Sequence, residues 1–271
     1  MPTFSLHREN LNNLIEISLD AGKAIMDIYK TDFNVKQKSD KSPLTKADML
    51  SHTIISRSLK KLTPKIPVLS EESINIPLNE RLEWKDYWLV DPLDGTKEFI
   101  NRNDEFTTNI ALIRDNRPVY GIIYAPALDE TYWGSVTNGS FTLKGDNLSD
   151  AKRIRVNDKS RSCLRIIKSR SHPSNELNNF LNRLDRHQLV EKGSSLKFCL
   201  VANGDADCYP RFGPTSEWDT AAGEAIVLGA GGRVINLKNQ LIKYNKGDSL
   251  INPSFIALNN QLDLNKILAY V

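Results

Sequence analysis

The chain has 271 residues, 40% of them hydrophobic and 25% charged, with a formal net charge of +3. That composition is ordinary for a folded globular protein and excludes disordered and fibrous classes. The small charge argues against a dedicated nucleic-acid surface, and the basic cluster Lys152, Arg153, Arg155, Lys159, Arg161 and Arg165 reads as a solvated face.

Apolar residues recur at helical spacing between Glu9 and Tyr29 (Leu11, Leu14, Ile15, Ala21, Ile25, Ile28) and predict an amphipathic helix. A second helix opens at Ser42 and runs through Ile54 and Leu59 to a stop before Pro64. Thr45 and Asp48 stand three apart near its start, and spacing alone favours a cap, with Thr45 as N-cap and Asp48 as the acid of the first turn. Pro67 to Ser70 predict a short strand that ends in Glu71 and Glu72. Tyr87 to Val90 predict a buried strand that stops at Asp91, because Pro92 withdraws a ladder donor. The turn then brings Asp94 back towards Asp91, with Gly95 permitting a tight approach. An isolated Asp-Pro-x-Asp-Gly is most often a surface turn. Here the apolar strand in front of it and the acids elsewhere favour a pocket.

Thr107 to Arg114 and Pro118 to Tyr124 predict an antiparallel hairpin, and Thr131 to Ser135 and Ser140 to Lys144 continue the meander through Asn138-Gly139. The polar stretch Lys144 to Asp158 is the expected seam between two lobes, 1–150 and 151–271. Beyond it, strands at Leu164 to Ser169, Gln188 to Glu191, Asp207 to Arg211 and Arg233 to Asn236 alternate with helices at Asn175 to Leu184, Ser195 to Ala202 and Thr220 to Gly229. The small residues Ala221, Ala222 and Gly223 predict close packing where that last helix begins. Gly229, Gly231 and Gly232 follow a helix rather than precede one, which excludes a dinucleotide-binding loop. The fold class is α/β: helices and an antiparallel sheet in the first lobe, a mixed α/β second lobe.

Cys163, Cys199 and Cys208 have neither metal-like nor redox-motif spacing and read as reduced thiols. No run approaches the roughly 20 apolar residues of a membrane span, and the amino terminus lacks a basic leader ahead of an apolar run. The expected location is the cytoplasm, with at most a peripheral contact with the cytoplasmic side of the inner membrane. The expected oligomeric state is a monomer or a homodimer.

Glu71, Asp91, Asp94 and Asp219 each stand where a strand ends or a helix begins. Carboxylates that share a pocket need protons or cations, and an all-oxygen ligand set suits a hard ion such as Mg²⁺. Two divalent ions balance four such charges, a recurring arrangement for phosphoryl hydrolysis. The carbonyl of Leu93 offers a further oxygen, and the amides of Gly95 and Thr96 offer an anion site.

Three segments, S-E-E-S (70–73), L-V-D-P-L-D-G-T (89–96) and E-W-D-T-A-A-G (217–223), resemble in sequence and order the signature segments of the inositol monophosphatase superfamily of lithium-sensitive, Mg²⁺-dependent phosphatases. D-G-T-K-E-F-I, S-R-S-H, G-S-S-L-K-F and Y-P-R-F-G-P-T are similar to its 3′(2′),5′-bisphosphate nucleotidase branch. The resemblance implies a layered αβαβα sandwich, two or three Mg²⁺ ions, and hydrolysis of adenosine 3′,5′-bisphosphate to AMP and phosphate, with the sulfated nucleotide as a further candidate. It implies Glu71, Asp91 and the Leu93 carbonyl on one ion, and Asp91, Asp94 and Asp219 on the other. Thr96 and Asp48 would position and deprotonate the attacking water, with Glu72 behind them. Substrate contacts are expected from Glu71, Leu93, Asp94, Gly95, Thr96 and Asp219, and a grip on the second phosphate from Ser171, His172, Ser194, Ser195, Lys197 and Arg211. The expected partner is therefore a small nucleotide bisphosphate and not a nucleic acid. Two rival readings are a phosphatase for inositol phosphate or another sugar phosphate, and a non-catalytic metal or nucleotide sensor. Lys197 speaks against the first, and the presence of Asp48 and Thr96 against the second.

Overall fold

The computed structural model describes residues 8–31, 43–159, 162–171, 174–262 and 267. Helix α1 (Arg8–Tyr29) turns Leu14, Ile15, Ala21 and Ile25 inward, as its periodicity requires, and packs against α2 (Pro43–Leu62). Proline suits a first turn, where its missing N–H has no partner to lose, so α2 begins at Pro43. Thr45 therefore lies inside the helix and the expected N-cap role falls. Asp48 is in the second turn and buried.

Both helices cover one face of a seven-stranded sheet whose order follows the chain: β1 (Val68–Ser70), β2 (Asp86–Asp94), β3 (Thr107–Arg114), β4 (Arg117–Ala125), β5 (Glu130–Ser135), β6 (Gly139–Lys144) and β7 (Lys152–Ile154). Every neighbouring pair is antiparallel except β1 with β2, which is parallel, so the expected purely antiparallel sheet has one exception at its edge. Asp115 and Asn116 close the β3–β4 hairpin with φ of +47° and +62°, the left-handed pair that a two-residue turn between twisted strands demands. The expected seam is itself partly strand: β7 pairs with β6, burying Ile154 and exposing Lys152 and Arg153.

Strand β2 does not stop at Asp91. It runs through Pro92 to Asp94, and the register shows how: Asp91 pairs with Asn109 and Asp94 with Thr107, three residues against two. The extra residue is a bulge, which absorbs the donor that Pro92 lacks and re-aims the side chains on either side of it.

The second sheet contains β8 (Leu164–Ser169), β9 (His187–Lys192), β10 (Cys208–Arg211), β11 (Arg233–Asn236) and β12 (Phe255–Leu258) in the order β11-β12-β10-β8-β9. Strand β8 is parallel to both its neighbours, and β12, which the sequence reading did not anticipate, is antiparallel to both of its own. Short helices α3 (Leu78–Leu82) and α4 (Thr96–Ile100) flank β2, and α5 (Asn175–Asn182) covers the outer face of the second sheet through Leu177, Phe180 and Leu181.

Between the two sheets lie α6 (Leu196–Ala202) and α7 (Ala221–Gly229), completing αβαβα layers. Helix α7 settles directly on β4 because Gly121 faces it: a Cβ there would come within 2.3 Å of the Ala222 oxygen. One apolar cluster runs from Leu89 and Ile123 of the first sheet through Ile226 and Val227 of α7 to Val234 and Ala257 of the second. The two halves of the chain thus share a core, and the segment ahead of α7 is delivered against the end of β2.

Candidate active site

The bulge in β2 is pinned from two directions. The Leu93 N–H donates to Asp91 Oδ1 at 3.1 Å, and the Ser51 hydroxyl, one turn beyond Asp48 on α2, donates to the Pro92 carbonyl at 2.7 Å. Gly95 follows with φ +87°, and a Cβ there would lie 2.9 Å from Ser194 Cβ, so glycine is required both by conformation and by contact. Thr96 then starts α4 at the cavity edge.

Asp219 arrives from the other side. It ends a single 3₁₀ turn, Glu217–Asp219, and its Oδ2 accepts the Ser216 N–H at 2.8 Å in a capping box. Ser195 ties the two sides together. Its Oγ lies 2.7 Å from Asp94 Oδ2 and 2.9 Å from the Asp219 carbonyl, and it accepts from Asn109 Nδ2 at 2.9 Å. One hydroxyl proton serves one acceptor at a time, so this node holds Asp94 and the Asp219 backbone at a shared distance from Asn109.

The result is that oxygens of Asp91, Asp94 and Asp219 all lie within 4.8 Å of one another. These three and Glu71 line a cavity of about 200 Å³ together with Leu93, Gly95, Thr96, Ser194, Ser195, Lys197 and Arg211. The charge crowding is visible in the acids' proton affinities. Burial pushes Asp91 well above the usual carboxylate range, and Asp94, Glu71, Asp219 and Asp48 push it further. Asp219 rises to about 7, first through burial and then through Asp94, against the lowering pull of the Ser216 amide and Lys197. Glu71 also rises to about 7, through desolvation, Asp94 and Glu72, although its side chain reaches solvent at the rim. Asp48 rises to about 8 through burial and then Glu72 and Glu71, and its Oδ1 is buried without a hydrogen-bond partner.

Such a set holds its charge only beside cations. An all-carboxylate cluster with an orphaned acid oxygen beside it fits hard divalent ions, so the residues present match the metal site that the sequence implies.

Several expected residues are placed differently. Asp48 and Glu72 stand next to the cavity rather than in its lining, Asp48 beneath it on α2 and Glu72 exposed in the 3₁₀ turn Glu71–Ser73. Ser171 does not line the cavity either, since its hydroxyl donates to Glu98 Oε1. His172 lies outside the described residues. Lys197 is buried, donating to the Ser194 carbonyl and lying 5.7 Å from the Tyr209 ring, and burial lowers its pKa. Arg211 donates to the Pro214 carbonyl at 3.0 Å through Nη2, while its Nε is buried and unpartnered.

Sequence reasoning missed Glu98, Tyr209, Thr215 and Thr220 in the lining, and Asn109 behind it. The first four lie inside the quoted segments D-G-T-K-E-F-I, Y-P-R-F-G-P-T and E-W-D-T-A-A-G, which was their signal; Asn109 had another, since T-T-N opens an otherwise apolar strand and a polar run on a buried strand needs partners.

Layers, bulge and acid cluster together define a fold that matches the inositol monophosphatase family, whose model covers residues 7–270, and the chain belongs to that family. Within it the chain is similar to proteins named 3′(2′),5′-bisphosphate nucleotidase CysQ. The one from Salmonella typhimurium is 47% identical over 248 residues, 90% of this chain and 98% of that protein. The one from Escherichia coli strain K12 is 46% identical with the same coverage of 90% and 98%. The crystal structure of CysQ from Bacteroides thetaiotaomicron superposes with a TM-score of 0.85 at 38% identity, covering 94% of this chain and 98% of that one.

Proposed function

We propose that the chain is a Mg²⁺-dependent 3′(2′),5′-bisphosphate nucleotidase that hydrolyses adenosine 3′,5′-bisphosphate to AMP and phosphate. The observation that carries this reading is the meeting, in one cavity, of the Asp91–Asp94–Asp219 oxygen cluster with the side chains of Lys197 and Arg211. A phosphate at the cluster accounts for the acids and their cations; the two basic groups, beyond their own hydrogen bonds to the Ser194 and Pro214 carbonyls, supply positive charge that suits a second anionic group on the substrate. The names of the similar proteins point the same way.

Glu71, Asp91, Asp94, Asp219 and the Leu93 carbonyl would hold two or three Mg²⁺ ions. Bound there, the ions lower the pKa of water and stabilise the charge that grows on the phosphate oxygens. Asp48 takes the proton of the attacking water, Thr96 orients that water, and Glu72 keeps the carboxyl of Asp48 basic by its charge. Water oxygen bonds to phosphorus, the bond to the 3′ oxygen breaks, and that oxygen takes a proton from solvent water as it leaves. Lys197 and Arg211 hold the 5′-phosphate, while Ser195 stays bound to Asp94 and the Asp219 carbonyl. Three free cysteines, one of them exposed, fit a reducing compartment, and we assign the activity to the cytoplasm. Among the described residues no helix is long and apolar enough to cross a membrane.

The test is phosphate release from adenosine 3′,5′-bisphosphate, inositol 1-phosphate and fructose 1,6-bisphosphate with Mg²⁺ and with a chelator. Preference for the nucleotide is expected. Equal or better hydrolysis of inositol 1-phosphate refutes the substrate assignment, and release that survives chelation refutes the metal assignment.

A further inference from the structure

Two acid-bearing segments approach the cavity from opposite directions in the chain, the turn at Glu71 and the turn at Asp219, and neither is part of a regular ladder at that point. A buried polar cluster lies between the loops that lead into them. Arg81 on α3 is 3% exposed, Asn245 1% and Glu217 4%, so three strongly polar side chains are buried in one place that the chemistry above does not use. Arg81 Nη1 donates to Asn245 Oδ1 at 2.6 Å, and Asn245 Nδ2 donates back to the Arg81 carbonyl at 2.6 Å. The Asn245 N–H lies 2.8 Å from both oxygens of Glu217. Arg81 also holds the Ile76 carbonyl through Nε and the Asp248 carbonyl through Nη2, each at 3.3 Å.

The chain of contacts therefore runs from the 71–76 segment, through Arg81 and Asn245, to Glu217, two residues ahead of Asp219. Asn245 has φ +52°, a left-handed conformation that asparagine and glycine adopt more readily than other residues, so the chain turns here without the strain another side chain would bring. Its neighbour Tyr244 is tied in turn to the β3–β4 turn, giving its N–H to the Asn116 carbonyl and receiving Asn116 Nδ2 on its own carbonyl.

We propose that Arg81, Asn245 and Glu217 are positioning residues for the metal site, a brace that sets the separation of Glu71 from Asp219 and hence the affinity of the acid cluster for divalent ions. The proposal rests on the metal reading given above. Groups that orient ligands from behind change metal affinity by about 10- to 100-fold when removed.

Asn245→Gly isolates the brace. Glycine accepts the left-handed φ and keeps the N–H that Glu217 needs, while the link to Arg81 is lost. Mn²⁺ binding to the substrate-free protein is measured by titration calorimetry, beside thermal melts, with Leu177→Ala in α5 as a variant destabilised on the far face of the second sheet. The expected result is an Mn²⁺ dissociation constant raised about 10-fold or more in Asn245→Gly and unchanged in Leu177→Ala. Arg81→Lys keeps the cation but offers its donors from one nitrogen in place of a fork spread over three, and it should shift the constant in the same direction. If Asn245→Gly fails to fold, Arg81→Lys decides. Unchanged Mn²⁺ affinity in a folded variant overturns the brace alone. A parent protein that takes up no Mn²⁺ overturns the metal reading, and the brace with it.

Discussion

Asp48→Asn separates two roles that one carboxylate is asked to play, and the structure supplies the magnitude for one of them. In the metal-free protein Asp48 is raised from 3.8 to about 8 by burial and by Glu72 and Glu71. A group whose folded pKa is raised adds stability that is fully present below its unfolded value and lost as pH climbs through the folded one. The window is thus pH 4 to 8. Between pH 5 and pH 7 the loss is two pH units, about 3 kcal/mol, an upper bound because Glu71 and Glu72 share the repulsion. Asparagine does not titrate, so the stability of Asp48→Asn relative to the parent should improve by about 2 to 3 kcal/mol on going from pH 5 to pH 7 in EDTA. Urea denaturation at the two pH values reads it as a shift in midpoint. Comparing one protein pair at two pH values cancels whatever the amide itself costs. With Mg²⁺ and nucleotide, the same variant should lose turnover by roughly 100-fold or more. A stability difference that stays constant with pH would refute the charge-crowding argument, and unaltered turnover would remove Asp48 from the chemistry.

Asp91→Asn removes the most deeply buried charge of the cluster; turnover should fall at least about 100-fold across a Mg²⁺ series while melting in EDTA stays at or above the parent's. Lys197→Ala should raise KM for the 3′,5′-bisphosphate by about 10- to 100-fold, the equivalent of about 1.5 to 3 kcal/mol, and leave hydrolysis of adenosine 3′-phosphate as it was; an equal effect on both substrates would show that the lysine acts through folding. Gly95→Ala meets both a φ of +87° and a contact of 2.9 Å with Ser194, so a loss of about 1 to 2 kcal/mol in urea unfolding should accompany a loss of activity as the Ser194–Ser195 turn is displaced.

Elements with a strong period were legible from the sequence alone. Helix α1 announces itself by an apolar face, and strands β3 to β6 by runs of β-branched and aromatic residues whose turns carry Asn, Asp and Gly where positive φ is needed. Other features depend on partners far away in the chain. Phe255–Leu258 is four apolar residues with no alternation, and it is a strand only because β10 and β11 offer it edges. Strand β7 is three residues of a charged stretch, decided by one buried isoleucine and the free edge of β6. The parallel setting of β1 follows from α3 and its loops carrying the chain back beside β2, which no local pattern states.

The acids of the site divide in the same way. Asp91 and Asp94 are adjacent for a local reason, since proline in a strand forces a bulge and a bulge turns two nearby carboxylates to one side. Asp219 joins them for a reason distributed over the whole molecule. Glycine at 121 lets α7 lie on β4, which brings the turn ahead of α7 to the end of β2, and Asn109 fixes Ser195 between the two aspartates. The same arrangement explains where Lys197 stands. It is the second residue of the helix that Ser195 caps, so whatever positions Ser195 against the acid cluster also sets the distance from that cluster to the lysine. A change in the Asn109–Ser195 contact should for that reason alter metal affinity and bisphosphate KM together, whereas a change at Lys197 should fall mainly on KM, its charge acting on the cluster only through space at Asp219 and Asp94.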